Sequence, residues 1–274
     1  MTGALRRALA ALLVVLAGCA GPSASTGPTI VVDPTSAHIE LTVLGAASLK
    51  GALDAVATAY AQVDTTVTMV VSTDSSAALE MEIEQGAPAD VFLSADTKNP
   101  QTLLDKGLAT DPLVLFAGNK LTLIVPKDNP GDIKSPADLA KAGVDVIAAG
   151  DEVPITKYAN QVVDNLAHQA GYPVDFAAKY AANVASKEDN VKAIVGKIEL
   201  GQGDAGIVYV TDAAASSKVT AIGVPAAANV PCAYGGVVVK ASNNQDAAKA
   251  FLAWLAGPRG QAILAGFGFL PPPS

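Results

Sequence analysis

The chain is poor in the residues that bind metals or activate nucleophiles. It holds two cysteines and two histidines in 274 residues. No His/Cys pair stands at a spacing that would hold zinc. A serine hydrolase needs a positioned base, and only His38 and His168 could supply it. His38 lies ahead of the first strand, His168 falls late on a helix, and no G-x-S-x-G turn occurs. Basic residues are scarce too. Eighteen lysines and arginines face 26 acids, a net charge of −8, which argues against a nucleic-acid partner. Beyond the first 20 residues no apolar run reaches the length that crosses a bilayer.

The N-terminus is read as a targeting segment. Arg6 and Arg7 form a basic start, Ala8 to Ala17 is apolar but too short to span a membrane, and Leu16-Ala17-Gly18-Cys19 resembles a bacterial lipobox. Residues 1–18 are then a lipoprotein signal peptide, with lipid on the Cys19 thiol, and 19–37 a flexible tether. Cys232 is left without a partner, so no intrachain disulfide forms. It opens an apolar strand and reads as a small core residue. The segment 1–18 carries two arginines and no acid, so the mature balance is 16 basic to 26 acidic residues, or −10.

What the chain does have is helix starts rich in donors. In 41-LTVLGAASLKGALDAVATAY-60 and 67-VTMVVSTDSSAALEMEIEQG-86, hydroxyl residues follow directly on apolar strands. The first turn of a helix leaves backbone N–H groups unpaired at the positive end of the macrodipole. Converging starts of this kind make a site for an anion with several acceptor oxygens. Since the overall field is acidic, local dipoles must do the holding.

Strands and helices alternate along the mature chain, which predicts an α/β architecture with mainly parallel sheets. Strands are expected at 41–44, 67–71, 90–96, 121–125, 144–148, 204–210, 219–224 and 235–239. Helices are expected at 48–62, 76–85, 99–107, after Ser135-Pro136, and at 154–170, 188–200, 245–256 and 258–265. Gly86, Gly107 and Gly171 mark helix ends. Asp90 and Asp96 flank a strand as turn or cap residues.

Several segments together resemble the periplasmic molybdate-binding proteins of ABC importers: Ala46-Ala47-Ser48-Leu49, Ser75-Ser76, 86-GAPADVFLSAD-96, 150-GDEVP-154, 189-DNVKA-193, 204-DAGIVYVTDA-213 and 257-GPRGQAILAGFGF-269. The resemblance runs from about Leu41 to Phe269. It implies a two-lobe periplasmic-binding-protein-like fold of type II, α/β, with a ligand cleft between lobes joined by a two-segment hinge. Lobe one would comprise 38–120 and 222–274, and lobe two 121–221.

The same resemblance implies an oxyanion site of Ser48, Ser76, Ile155, Val191 and Tyr209. The serines and the phenol would donate through hydroxyls, and Ile155 and Val191 through backbone amides. It implies molybdate or tungstate as ligand, no cofactor, no enzyme activity, an ABC importer permease as partner, and a monomer on the extracytoplasmic face of the membrane, anchored through Cys19. Sulfate is the alternative cargo, and a serine-dependent hydrolase the alternative activity. Two positions depart from the family pattern. Ile155-Thr156 replaces small residues, with Thr156 offering a hydroxyl of its own, and Asp74 puts a carboxylate beside the serine pair.

Overall fold

The computed structural model describes residues 38–273; the expected signal peptide, Cys19 and the expected tether lie outside them. Lobe one opens with β1 (Ile39–Ala46), α1 (Lys50–Tyr60), β2 (Val67–Asp74), α2 (Ser76–Glu84), β3 (Val91–Ser94), α3 (Lys98–Asp105) and β4 (Ala109–Asn119). The chain crosses at Lys120 and builds lobe two from β5 (Leu121–Pro126), β6 (Val146–Ala149), α4 (Pro154–Ala167), α5 (Phe176–Ala182), β7 (Val184–Glu188), α6 (Val191–Glu199), β8 (Ala205–Tyr209), α7 (Val210–Ala214) and β9 (Val219–Gly223). It then returns for β10 (Cys232–Val239), α8 (Gln245–Ala256) and α9 (Pro258–Gly266).

Each lobe holds one five-stranded sheet, ordered β2-β1-β3-β10-β4 and β7-β6-β8-β5-β9. The sheets are mixed rather than mainly parallel. β10 runs antiparallel to β3 and β4, and β5 antiparallel to β8 and β9. These reversals come from the hinge strands, which enter each sheet from the opposite lobe. β9 pairs with β5 through Gly223, so the second crossing occupies 224–231, slightly later than 222. The two crossings are tied together. The Asn229 side chain accepts from the Leu121 N–H at 3.0 Å and donates to the Leu121 carbonyl at 2.7 Å.

The helices bury one face each, as their periodicity predicts. α1 turns in Leu53, Val56 and Tyr60, α4 turns in Ile155, Tyr158, Val162 and Leu166, and α6 turns in Val191, Ile194, Val195 and Ile198. Gly86 and Gly107 stop α2 and α3 at φ +89° and +67°, a backbone region that costs other residues Cβ strain. The segment after Ser135 forms only a short 3-10 turn, Pro136–Ala140, although its capping box is present. The expected helix at 188–200 begins at Val191, because Val184–Glu188 is the edge strand β7.

This connectivity fixes where a ligand can sit. β1, β2, β6, β7 and β8 all run into helix starts, and α/β sheets gather ligands at the carboxyl ends of such strands. No described helix is long and apolar enough to cross a membrane.

Candidate functional site

The five residues singled out from the sequence meet at one place. Ser48, Ser76, Ile155, Val191 and Tyr209 all line a small cavity between the lobes, together with Ser75, Val153, Pro154 and Asn190. Ser76, Ile155 and Tyr209 are each only 1% exposed. Ser48 sits in a 3-10 turn, Ala47–Leu49, that leads into α1. Ser76 opens α2, Ile155 is second in α4 behind Pro154, Val191 opens α6, and Tyr209 is the last residue before α7. Four helix starts and a strand end therefore converge, and their first-turn amides have no intrahelical acceptor.

Local sequence explains these starts. Pro154 gives α4 a preset first residue without wasting a hydrogen bond. Asn190 is extended, and its side chain accepts from Ala193 N at 3.1 Å, capping α6 and leaving the earlier amides of that turn to the cavity.

Two hydroxyls at the cavity are buried without any hydrogen-bond partner among the described residues: Ser75 Oγ and Tyr209 Oη. Buried polar groups are nearly always paired, so such atoms call for a ligand or water. Tyr209 lies within an aromatic set, with ring centroids 6.4 Å from Tyr158 and 5.7 Å from Tyr234. Burial pushes its phenol well above the ordinary tyrosine value, with the neighbouring Tyr234 adding to the shift. It stays a donor across the accessible pH range. Ser76 Oγ accepts from Ala95 N at 3.0 Å, and Ser48 Oγ lies 3.0 Å from Tyr234 Oη.

No lysine or arginine lines the cavity. Lys192 Nζ pairs with the fully buried Asp212 at 2.9 Å, and Lys157 Nζ lies 5.9 Å from the Tyr158 ring centre. Burial raises the Asp212 pKa, and Lys192 opposes the rise. Both departures from the family pattern also find their place. Thr156 turns its hydroxyl to the carbonyls of Ala149 and Gly150, at 3.1 and 2.8 Å. Asp74 accepts from Ser75 N at 2.7 Å and from Asn190 Nδ2 at 2.8 Å. The second of these bonds crosses from lobe one to lobe two.

Neither histidine is at the cavity. His38 bonds Thr68 Oγ1 at 2.8 Å, and His168 contacts the Asp164 carbonyl at 2.7 Å. Asp96 accepts from Ser94 Oγ and from the Asn99 backbone and side chain, at the start of α3. Asp90 is bonded to Thr42 N and Ser242 Oγ. No metal-sized cluster of His, Cys, Asp and Glu occurs among the described residues.

Sequence reasoning missed Ser75, Asn190 and the Tyr234 contact to Ser48. Ser75 had a signal, since it is half of the Ser75-Ser76 pair. Tyr234 had none, standing 186 positions from Ser48.

Two α/β lobes with a donor-lined cavity between them define a binding protein of the type II periplasmic fold. A family model described as bacterial extracellular solute-binding protein matches residues 41–270, and the chain belongs to that family. It is 30% identical over 264 residues to the molybdate-binding protein ModA of Mycobacterium bovis, across 96% of this chain and 95% of the relative. The periplasmic molybdate-binding protein of Azotobacter vinelandii superposes with a TM-score of 0.72 at 26% identity, covering 85% of this chain and 100% of that one. The sulfate-binding protein SubI of Mycobacterium tuberculosis gives a TM-score of 0.76 at 21% identity, over 85% and 87%, a likeness of fold alone. All three are named for what they bind.

Proposed function

We propose that this chain captures molybdate, and tungstate with it, in the cavity between its lobes and hands it to an ABC importer permease on the extracytoplasmic face of the cell membrane. Ser48, Ser76 and Tyr209 donate hydroxyls to the anion, and Ile155 and Val191 donate backbone N–H groups. The carrying observation is the pair of orphan hydroxyls, Ser75 Oγ and Tyr209 Oη, buried at a cavity whose polar lining otherwise belongs to helix starts. Ser75 joins the set on that ground.

The chemistry narrows the cargo. Hydrogen phosphate carries a proton at neutral pH and needs an acceptor in its site, whereas molybdate, tungstate and sulfate carry none and suit donors only. The one nearby carboxylate, Asp74, is already engaged by Ser75 N and Asn190 Nδ2. The likeness to molybdate-binding relatives favours molybdate and tungstate over sulfate. Calorimetric titration with molybdate, tungstate, sulfate and phosphate tests this directly: tight binding of the first two, weaker sulfate and negligible phosphate is the expected order. Sulfate binding above molybdate would reassign the cargo, and no binding of any would remove the reading.

The lipobox at Cys19 supports a lipid anchor, with the tether to Ala37 holding a monomer off the membrane and no cofactor needed. Cys19→Ala should free the protein from the membrane fraction with its affinity intact. A variant that stays firmly membrane-bound counts against the anchor.

A further inference from the structure

We propose that Asn119 and Tyr234 form a one-way hydrogen-bond chain that turns the Ser48 proton into the cleft, so that the site selects oxyanions carrying no proton over those that carry one. The inference rests on the reading of Ser48 as an anion ligand and adds what sets the direction of its hydroxyl.

A hydroxyl can donate or accept, so a serine in the cleft wall does not by itself reject a protonated anion. Its role is decided by its other neighbours. Asn119 Oδ1 accepts from the backbone N–H of Lys120 at 2.9 Å. A backbone N–H only donates, so this bond fixes which end of the Asn119 amide is oxygen. The NH₂ end then donates to Thr211 Oγ1 at 2.9 Å and, more distantly, to Tyr234 Oη at 3.4 Å. Tyr234 Oη accepts that bond, and its single proton goes to the one remaining polar neighbour, Ser48 Oγ, 3.0 Å away. Ser48 therefore accepts from the protein, and its own proton is left for the cavity.

Nothing nearby reverses the order. Tyr234 is fully buried, edge-on to the rings of Phe116 and Phe269 at 6.1 and 5.5 Å. Burial also keeps its phenol protonated by raising its pKa well above the ordinary value. Ser76 follows the same logic by a shorter route. Its Oγ accepts from the Ala95 N–H at 3.0 Å, so its proton too is free. Two hydroxyls of lobe one are thus held as donors, Ser76 by a backbone N–H that cannot accept and Ser48 by a phenol that already accepts from Asn119.

Asn119→Asp tests the chain, because it exchanges the NH₂ for an oxygen of nearly the same shape. The Tyr234 proton would then turn to Asp, Ser48 would donate to Tyr234, and the cleft would meet a lone pair. Molybdate and hydrogen phosphate are titrated into each variant at about pH 8, where phosphate is chiefly the dianion. We expect molybdate affinity to fall at least tenfold and the molybdate-to-phosphate ratio to fall at least tenfold. The added negative charge alone weakens both dianions alike and leaves the ratio unmoved, so the ratio reads polarity. Adding Ser48→Ala to Asn119→Asp should return the ratio to that of Ser48→Ala.

If Asn119→Asp does not fold, Tyr234→Phe and Ser48→Ala serve as a double-mutant cycle. Coupled effects on molybdate binding support the chain and additive ones overturn it. A folded Asn119→Asp protein with an unchanged ratio also overturns it. Wild-type protein that binds none of the oxyanions removes the underlying reading, whereas binding that weakens on Ser48→Ala with an unmoved ratio removes only this inference.

Discussion

The two lobes line the cavity with different chemistry. Lobe one brings side-chain hydroxyls on Ser48, Ser75 and Ser76, while lobe two brings helix starts at Ile155 and Val191 whose side chains pack into the core. Only Tyr209 offers a side-chain hydroxyl from the second lobe. The difference teaches where sequence change is tolerated. A serine donor is lost with its side chain, but a backbone donor survives any substitution that keeps the helix start. On the proposed binding set Ile155, where the family pattern has small residues, is an instance: the position can grow because its side chain packs into the core and only its amide would serve the anion.

The largest effect we expect concerns charge in lobe two. Lys192 is the partner of the fully buried Asp212, and removing one member of a buried pair costs about 3–5 kcal/mol. Lys192 is itself about one-third exposed, so solvent relieves part of this, and about 2–3 kcal/mol of stability is the expectation for Lys192→Ala. The loss should depend on pH. A carboxyl whose folded pKa lies above its unfolded value stabilises fully below the unfolded value and loses that contribution as pH rises through the folded one. The Asp212 pKa is already raised by burial, and losing Lys192 raises it further, so the variant should be rescued by acid. Thermal melts from pH 4 to 8 read this, and a pH-independent loss breaks the assignment. Once folded, the variant should keep its affinity.

Next come the donors. Ser76→Ala and Tyr209→Phe should each weaken molybdate binding by about 1.5–3 kcal/mol, the range for hydrogen bonds to charged groups. Val191→Pro should cost a similar amount. Proline is tolerated at the first helical position but has no N–H, and Asn190 is already extended, as a residue before proline prefers. Val191→Ala should change affinity by less than about threefold, since the amide remains. If Val191→Ala and Val191→Pro weaken binding equally, the contrast between the lobes fails.

A smaller effect is expected at Asp74, whose bond to Asn190 joins the lobes. Asp74→Ala should weaken binding by about 1 kcal/mol, through faster release rather than slower capture. Stopped-flow rates distinguish the two, and an unchanged release rate would sever the bond from closure. The smallest effect is on Glu80, whose pKa is pushed up to about 7 by burial and by Glu84 beside it. Wild-type stability should therefore decline slightly between about pH 4.5 and 7 relative to Glu80→Gln, as its carboxyl ionises at a cost. Parallel stability curves for the two proteins would discard that assignment.

Much of this was legible in the sequence because it is local. The starts of α2, α4 and α6 follow from apolar periodicity beside Ser, Pro and Asn. The segments that escaped notice have physical reasons to be quiet. β4 contains Pro112, which breaks a strand pattern and is tolerated because β4 is the edge of its sheet. β7 is likewise an edge strand, with no fully buried residue, and α5 is only seven residues long. Tyr234 and Asn119 reach Ser48 only through the hinge, which no local pattern encodes. The antiparallel placement of β5 and of β10, each within its own sheet, has the same cause.

The closeness of the walls has a consequence in time. Ser76, Ile155 and Tyr209 are almost wholly covered where they line the cavity, so an anion held among them would be largely screened from bulk solvent. On the proposed function, release then depends on opening of the hinge at 120 and 224–231, and the residence time of the cargo follows the lifetime of the closed shape. On the same reading, a permease that takes the cargo would do mechanical work on two lobes, spreading them apart rather than competing for the anion.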